Sequence, residues 1–316
     1  MTNTVFLTGA TGYIGSSLLN HLSSKGLKIF ALSRAKKEPL GLNITYIQGD
    51  LTNKPDFSSS LNSSGTLIHM ASIASYCPSK YHTQFDLNVN GTSNLLGLIK
   101  ESTNIKKIIY ISTANIDGFH DKSMRNCEEL KDIGYISTKT QAEELIKNYC
   151  LKHKIKFTIL RPATVYGVNS LEQSSKNFIK QLIVKKNKIW PCPSGGTSII
   201  NIKSLVRFIY NSIHLENYAN KTITVCEHKI SYFDLFKNIA LLSESNPLII
   251  KIPSIAFTGF NILPKRFIKK LNIDMYKIAP HFPLSTSKDF KRFLNEEEII
   301  PLDQTIRESL KSLSLS

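Results

Sequence analysis

What the chain has little of narrows the field first. Its five cysteines (Cys77, Cys127, Cys150, Cys192 and Cys226) are odd in number, scattered, and never spaced as Cys-x-x-Cys. That argues against a disulfide framework and a zinc site, so no metal is expected and a reducing cytoplasm is the expected setting. Acidic residues are also scarce: 24 Asp and Glu face 40 Lys and Arg, a formal net charge of +16. An excess of that size raises nucleic acid and anionic membrane as partners. The lysines, however, come in short runs such as Lys36-Lys37, Lys106-Lys107 and Lys185-Lys186, and no recognition-helix, RNP or zinc-finger pattern accompanies them. No nucleic-acid partner is therefore expected, and an anionic small substrate is reason enough for a positive field. Long apolar runs are missing as well. The most apolar stretch, Asn246 to Leu271, is broken by Lys251, Pro253 and Pro264, so no stable membrane insertion is expected. No signal peptide is expected either, because a glycine-rich strand signal starts almost at once.

What is present begins with Val5 to Leu22, VFLTGATGYIGSSLLNHL. An apolar, β-branched run leads straight into Gly9, Gly12 and Gly15, and Ile14, Leu18, Leu19 and Leu22 then follow at helical spacing. The pattern predicts a buried strand, a tight glycine turn and a helix that starts among the glycines. Glycine turns the chain, lets backbone approach a ligand and lets the helix pack close on the strand. The free N–H groups at such a helix start suit a pyrophosphate, so a dinucleotide site is expected here.

Further along, Lys28–Ser33, Ile44–Gly49, Thr66–Met70, Lys107–Ser112 and Lys156–Leu160 predict five more strands with helical stretches between them. Such alternation specifies an α/β fold with a parallel sheet and right-handed crossovers. The second strand ends in Ser33-Arg34, with Lys36 and Lys37 beyond. An acidic residue at this place binds the ribose 2′-hydroxyl of NAD, whereas arginine accommodates the 2′-phosphate of NADP. Arg34 therefore points to NADP, with NAD possible. The fourth strand ends in small residues, Ala71 and Ser72, which leave room for a cofactor at its carboxyl end. His69, in that apolar strand, reads as a packed residue. After Gly167 the rhythm changes. Helices are expected over Ser174–Lys186 and Ser204–Leu215, strands over Thr197–Ile202 and Thr222–Cys226, and Asn246–Leu271 is expected to line a substrate cleft.

Thr113, Tyr135 and Lys139 carry the expected chemistry. Tyr135 and Lys139, at i and i+4 on a predicted helix, share one face. A phenol titrates near ~10 when unperturbed. A cationic lysine one turn away favours the phenolate and is expected to lower that value toward a working range. Thr113, at the end of the neighbouring strand, can hydrogen-bond the same substrate oxygen.

Together, Thr8–Gly15, Asp50-Leu51, His69-Met70-Ala71-Ser72, Asn88-Val89-Asn90-Gly91-Thr92, Ser112-Thr113, Tyr135-x3-Lys139 and Arg161-Pro162 resemble the extended short-chain dehydrogenase/reductase family. Its members include nucleotide-sugar epimerases, dehydratases and 4-ketoreductases. The resemblance implies a Rossmann-like, doubly wound parallel sheet with a smaller C-terminal α/β substrate domain. Residues 1–167, with 197–225 returning, would form the first domain, and 168–196 with 226–316 the second. It implies cofactor contacts from Gly9, Thr11, Gly12, Tyr13, Ile14, Gly15, Arg34, Asp50, Leu51, Met70, Ala71, Ser72, Asn88, Ser112, Tyr135, Lys139 and Pro162. Two departures matter. Dehydratases of the family carry Asp-Glu directly after the threonine, where this chain has Ala114 and Asn115, so sugar 4,6-dehydration is not expected. An arginine of the family that meets the substrate diphosphate is here Thr197, and a nearby aspartate is Ser204. Lys203, Arg207 or a residue of 265–270 could substitute. The expected activity is NADPH-dependent reduction of a 4-keto nucleotide-diphosphate sugar. The alternatives are a nucleotide-sugar 4-epimerase with retained NAD, and a non-catalytic NADP-binding regulator. A homodimer is possible through helices flanking the sheet.

Overall fold

The computed structural model describes residues 4–38, 41, 43–53, 57–75, 78–100, 103–119, 134–168, 186–253 and 299–311. Its strands in chain order are β1 (Thr4–Thr8), β2 (Lys28–Ser33), β3 (Ile44–Gln48), β4 (Thr66–His69), β5 (Lys107–Ile111) and β6 (Lys156–Pro162). They continue as β7 (Thr164–Tyr166), β8 (Ile189–Pro193), β9 (Gly196–Asn201), β10 (Lys221–Val225), β11 (His228–Ser231) and β12 (Leu248–Ile252). The helices are α1 (Tyr13–Ser24), α2 (Ser58–Asn62), α3 (Tyr81–Phe85), α4 (Gly91–Gly97) and α5 (Asn115–Phe119). After them come α6 (Gly134–His153), α7 (Ile202–His214), α8 (Tyr232–Leu242) and α9 (Leu302–Lys311).

Cα packing divides the chain into two units, one from 1–116, 131–162 and 205–223, the other from 117–130, 163–204 and 224–316. The first is built on a seven-stranded sheet in the order β10-β6-β5-β4-β1-β2-β3. The pairings that join β6 through to β3 are all parallel. This is the parallel sheet the alternation specified, in the Rossmann-like form the resemblance implied. Val5, Phe6 and Leu7 of β1 are all buried, as a strand covered by helices on both faces requires. On α1 the buried residues are Gly15, Leu18, Leu19 and Leu22, and Gly26 follows the helix end at φ +75°. Strand order reverses between β1 and β4, and ligands of open α/β sheets bind at the carboxyl ends of the strands flanking such a reversal.

One helix differs from its expectation. The helical spacing of Leu87, Leu95, Leu96 and Ile99 predicts a start at Gln84, whereas the helix begins at Tyr81 and passes through one π turn at Asp86–Asn90 before α4. Single π turns inside helices recur at functional sites.

The second unit holds a three-stranded sheet, β11-β9-β7, and a two-stranded parallel sheet, β12-β8. Strand β9, read from the sequence within the segment returning to the first domain, pairs antiparallel with β11 and parallel with β7. Trp190, Cys192, Ile199, Phe236 and Ile306 are central to the core of this unit. The helix expected at Ser174–Lys186 lies outside the described residues apart from Lys186, as does 254–271 of the proline-punctuated stretch.

Candidate functional site

At the end of β1 the three glycines have different reasons to be glycine. Gly9 sits at φ +73°, and a side chain there would meet Ala71 N at 2.7 Å. At Gly15 a Cβ would land on the Gly9 carbonyl oxygen, with Ala10 Cα at 2.8 Å. The chain's own packing therefore demands both. Gly12, the N-cap of α1, has φ −79° and ψ 174°, a conformation open to any residue. A Cβ there would touch only Gly9 O, at 3.4 Å, and the residue is exposed. Among the described residues nothing requires glycine at this point; a ligand lying against the backbone would. The start of α1 has no side-chain cap and no acidic residue in its first turn, so its N–H groups and positive dipole end face outward. These features fit a dinucleotide pyrophosphate. Thr11 is exposed beside Gly12, and Tyr13 and Ile14 are half-buried.

The loop after β4 is tied to β1 by a buried network. Met70 N and Ala71 N each donate to Thr8 Oγ1 at 3.2 Å. Thr8 Oγ1 lies 2.7 Å from His69 Nδ1, and His69 Nε2 lies 2.9 Å from Thr92 Oγ1. The Thr92 hydroxyl already donates to Asn88 O, so it accepts from His69, which assigns the proton to Nε2 and makes Nδ1 the acceptor from Thr8. Burial, then the charge of Lys139, lowers the His69 pKa to about 3, so the ring is neutral. His69 is a packing residue, as expected. Ser72 is half-buried in the same loop.

Asn88, in the π turn, has a saturated side chain. Its Oδ1 accepts from Ile73 N at 2.8 Å, and its Nδ2 donates to Ile73 O at 3.2 Å and Thr138 Oγ1 at 3.0 Å. It thus joins the β4 loop to α6 beside Lys139. At the other edge of the sheet, Arg34 is exposed. Asp50 Oδ1 accepts from Thr52 N and Thr52 Oγ1; the backbone bond first, and after burial the side-chain bond and Arg34's charge, leave its carboxyl below the usual range. Leu51 is buried, and its carbonyl accepts from Asn94.

Beyond β5, Ser112 N donates to Leu160 O at 2.7 Å and Ala114 N to Pro162 O at 2.9 Å, fixing the turn that carries Thr113. Helix α6 brings Tyr135 and Lys139 to this strand end. Lys139 is 1% exposed; its Nζ donates to Ile111 O at 2.5 Å and stands 4.2 Å from the Tyr110 ring centroid. Tyr135 shares a hydrogen bond with the Thr113 side chain. The structure therefore brings Thr113, Tyr135 and Lys139 together. It corrects one expectation about their charges. Burial pushes the Tyr135 phenol up to about 12, and it is the Thr113 hydrogen bond that pulls the other way. Burial likewise pulls Lys139 down to about 7, against the influence of Glu143. Desolvation outweighs the lowering of the phenol expected from Lys139. Arg34 and Asp50, on β2 and β3, lie three or more strand spacings from β5, about 14 Å. That suits the two ends of an extended dinucleotide.

In the second unit, the position of the family's diphosphate-binding arginine is buried: Thr197 Oγ1 lies 3.0 Å from Thr164 Oγ1. Lys203 is bound to Glu308 at 2.6 Å. Among the described residues, no group of three His, Cys, Asp or Glu side chains could hold a metal ion, and no helix is long and apolar enough to cross a membrane.

A glycine turn under an uncapped helix at the sheet's reversal point, with Thr113, Tyr135 and the buried Lys139 two strands along at the end of β5, defines a dinucleotide-dependent oxidoreductase. The chain belongs to the NAD dependent epimerase/dehydratase family, whose pattern it matches over residues 5–205. It is 24% identical over 271 residues to the UDP-glucose 4-epimerase of Vibrio cholerae, covering 80% of each chain. It is 23% identical over 257 residues to a dTDP-4-dehydro-6-deoxy-D-allose reductase of a Streptomyces species, covering 73% of this chain and 78% of the relative. Its fold is similar to that of a variant UDP-glucuronic acid 4-epimerase from Bacillus cereus, solved with UDP-4-deoxy-4-fluoro-glucuronic acid and NAD. The TM-score is 0.74 at 19% identity, covering 99% of both chains. The protein is thus an NAD(P)-dependent enzyme of the nucleotide-sugar epimerase and reductase type.

Proposed function

We propose that the protein reduces a 4-keto nucleotide-diphosphate sugar, using NADPH and with Tyr135 as proton donor. The carrying observation is the ensemble of Thr113, Tyr135 and Lys139 at the carboxyl end of β5. When bound, the cofactor's nicotinamide supplies the hydride. Tyr135 gives its proton to the oxygen of the carbonyl being reduced, Thr113 hydrogen-bonds that oxygen, and Lys139 stabilises the phenolate left behind. Ala114 is buried and Asn115 opens α5 where a dehydratase of the family has its acid–base pair, which supports reduction over water elimination. Arg34, exposed at the end of β2, supports NADPH, because a guanidinium pairs well with a 2′-phosphate. In this reading 168–196 and 226–316 bind the sugar, flanking helices of the first unit pair two copies, and the protein works in the cytoplasm, where the buried thiols of Cys150, Cys192 and Cys226 stay reduced.

The second reading, a 4-epimerase that oxidises and re-reduces one carbon with retained NAD, is favoured by the similarity to epimerases. Identifying the nucleotide that purifies with the protein separates the two: tightly held NAD counts against the reductase. Tyr135→Phe is expected to abolish turnover of a dTDP-4-keto-6-deoxy sugar with NADPH while NADPH still binds. Normal turnover by this variant would overturn the donor assignment. Arg34→Asp is expected to shift preference toward NADH; an unchanged NADPH Kd would remove Arg34 from the site.

A further inference from the structure

The buried face of α6 carries a charged pair that the proton transfer above leaves without a role. Glu143 is 2% exposed, and its two carboxylate oxygens accept from Arg161 Nε at 2.9 Å and Arg161 Nη2 at 2.7 Å. Arg161 lies near the carboxyl end of β6, just before Pro162. Bidentate geometry of this kind fixes a carboxylate in orientation as well as position. Such a pair is weak evidence of stabilisation by itself, since desolvating both charges offsets most of their attraction. Its placement is more informative. Tyr135, Lys139 and Glu143 follow one another at i, i+4 and i+8, so their side chains line up along one helix face. Ser112, the buried neighbour of Thr113, also helps to lower the Glu143 carboxyl.

We propose that Glu143 is a positioning residue for Lys139: held by Arg161, its fixed negative charge keeps the Lys139 ammonium protonated beside Tyr135. This rests on the reading of Tyr135 and Lys139 as the proton-handling pair. Lys139 needs such support. Its Nζ has the Ile111 carbonyl and the Tyr110 ring face as polar neighbours, and neither carries a net charge. Among the described residues, the titratable groups beside it are Glu143 and, one turn away, Tyr135 on its own helix, Tyr110 on β5 and His69 on β4. Burial keeps both Tyr110 and His69 neutral. Glu143 is the group that raises the Lys139 pKa against burial. Burial pushes Glu143 up as well, but the hydrogen bond and charge of Arg161, followed by Ser112 and Lys147 at 3.7 Å, more than offset this and keep it ionised. Arg161, Glu143 and Lys139 thus form a line of alternating charge that ends at the phenol.

The test follows the Lys139 side-chain ¹⁵N resonance across pH in lysine-labelled protein, assigned by its loss in Lys139→Met. In Glu143→Gln the midpoint should move to lower pH by about one unit or more, a tenfold loss of proton affinity. Glu143→Asp, which keeps the charge, should recover part of the shift. Removing the carboxylate takes from the Arg161 guanidinium a charge partner, so Glu143→Gln/Arg161→Met, with two neutral side chains, is titrated alongside. Circular dichroism establishes that each variant is folded. A midpoint moved by less than about twofold in proton affinity in either folded variant overturns the proposal. The titration uses the protein alone, without substrate or cofactor. It stays readable if Tyr135→Phe fails to stop turnover, and the two failures are told apart.

Discussion

Two threonine hydroxyls hold the His69 ring in one neutral tautomer, and this ties a single side chain to the stability of the protein. The ordinary histidine pKa of 6.5 falls to about 3 in the fold, through burial first and the charge of Lys139 second. Between those values the unfolded chain takes up a proton that the folded chain refuses. Stability from this group is therefore complete above pH 6.5 and is lost as pH falls toward 3, by up to about 1.4 kcal/mol per pH unit. Between pH 6.5 and 5 the wild type should lose about 2 kcal/mol more than His69→Gln in urea unfolding; equal losses would show that the ring is not held neutral. At this scale the candidate residues that the structure brings together were legible in the sequence. Tyr135 and Lys139 stand one turn apart, and Thr113 ends a run of apolar residues. Glu143 and Arg161 were not read as a pair, because charged residues in a lysine-rich helix read as a solvated face. The available signal was that Glu143 continues the spacing of Tyr135 and Lys139, beside the apolar Ala142 and Ile146.

At the scale of elements, Gly9 and Gly15 around the β1 turn and α1 are required by packing, while Gly12 is left open to a ligand. Gly15→Ala sets a methyl group against the backbone of Gly9 and Ala10, which has no room to yield, and is expected to destabilise the protein by about 1–3 kcal/mol or more. Gly12→Ala is expected to melt at the wild-type temperature, since its new contact is ordinary, yet to lose the rise in Tm expected of the wild type with NAD(P)H. If Gly12→Ala keeps that rise, the pyrophosphate does not lie against this turn. Strand β1, the turn and α1 were legible because periodicity switches from a continuous apolar run to helical spacing across three glycines. The π turn at Asp86–Asn90 was not, since apolar periodicity does not distinguish one wide turn from an ordinary one, and its purpose lies in the long-range bonds of Asn88 to Ile73 and Thr138.

Across the whole molecule, legibility falls where pairing ceases to follow chain order. In the first unit parallel strands and helices alternate, so the order of elements nearly dictates the sheet. In the second, β9 pairs with β7, which precedes it, and with β11, which follows it after an intervening helix and strand, and no short-range pattern in residues 196–231 announces this. The helix α9 completes that unit: Ser309 accepts from Gly167 N at 2.8 Å, Glu308 binds Lys203 and Asn201, and Ile306 enters the core around Trp190 and Phe236. Gly167 and Ser309 are 142 positions apart. On the ribosome, the second unit therefore cannot close its core until Ser309 has followed Gly167 by 142 positions, about 7–28 s at about 5–20 residues per second, with apolar surface open in the meantime. A chaperone that recognises apolar segments has its opening there, in the interval before Ser309 emerges.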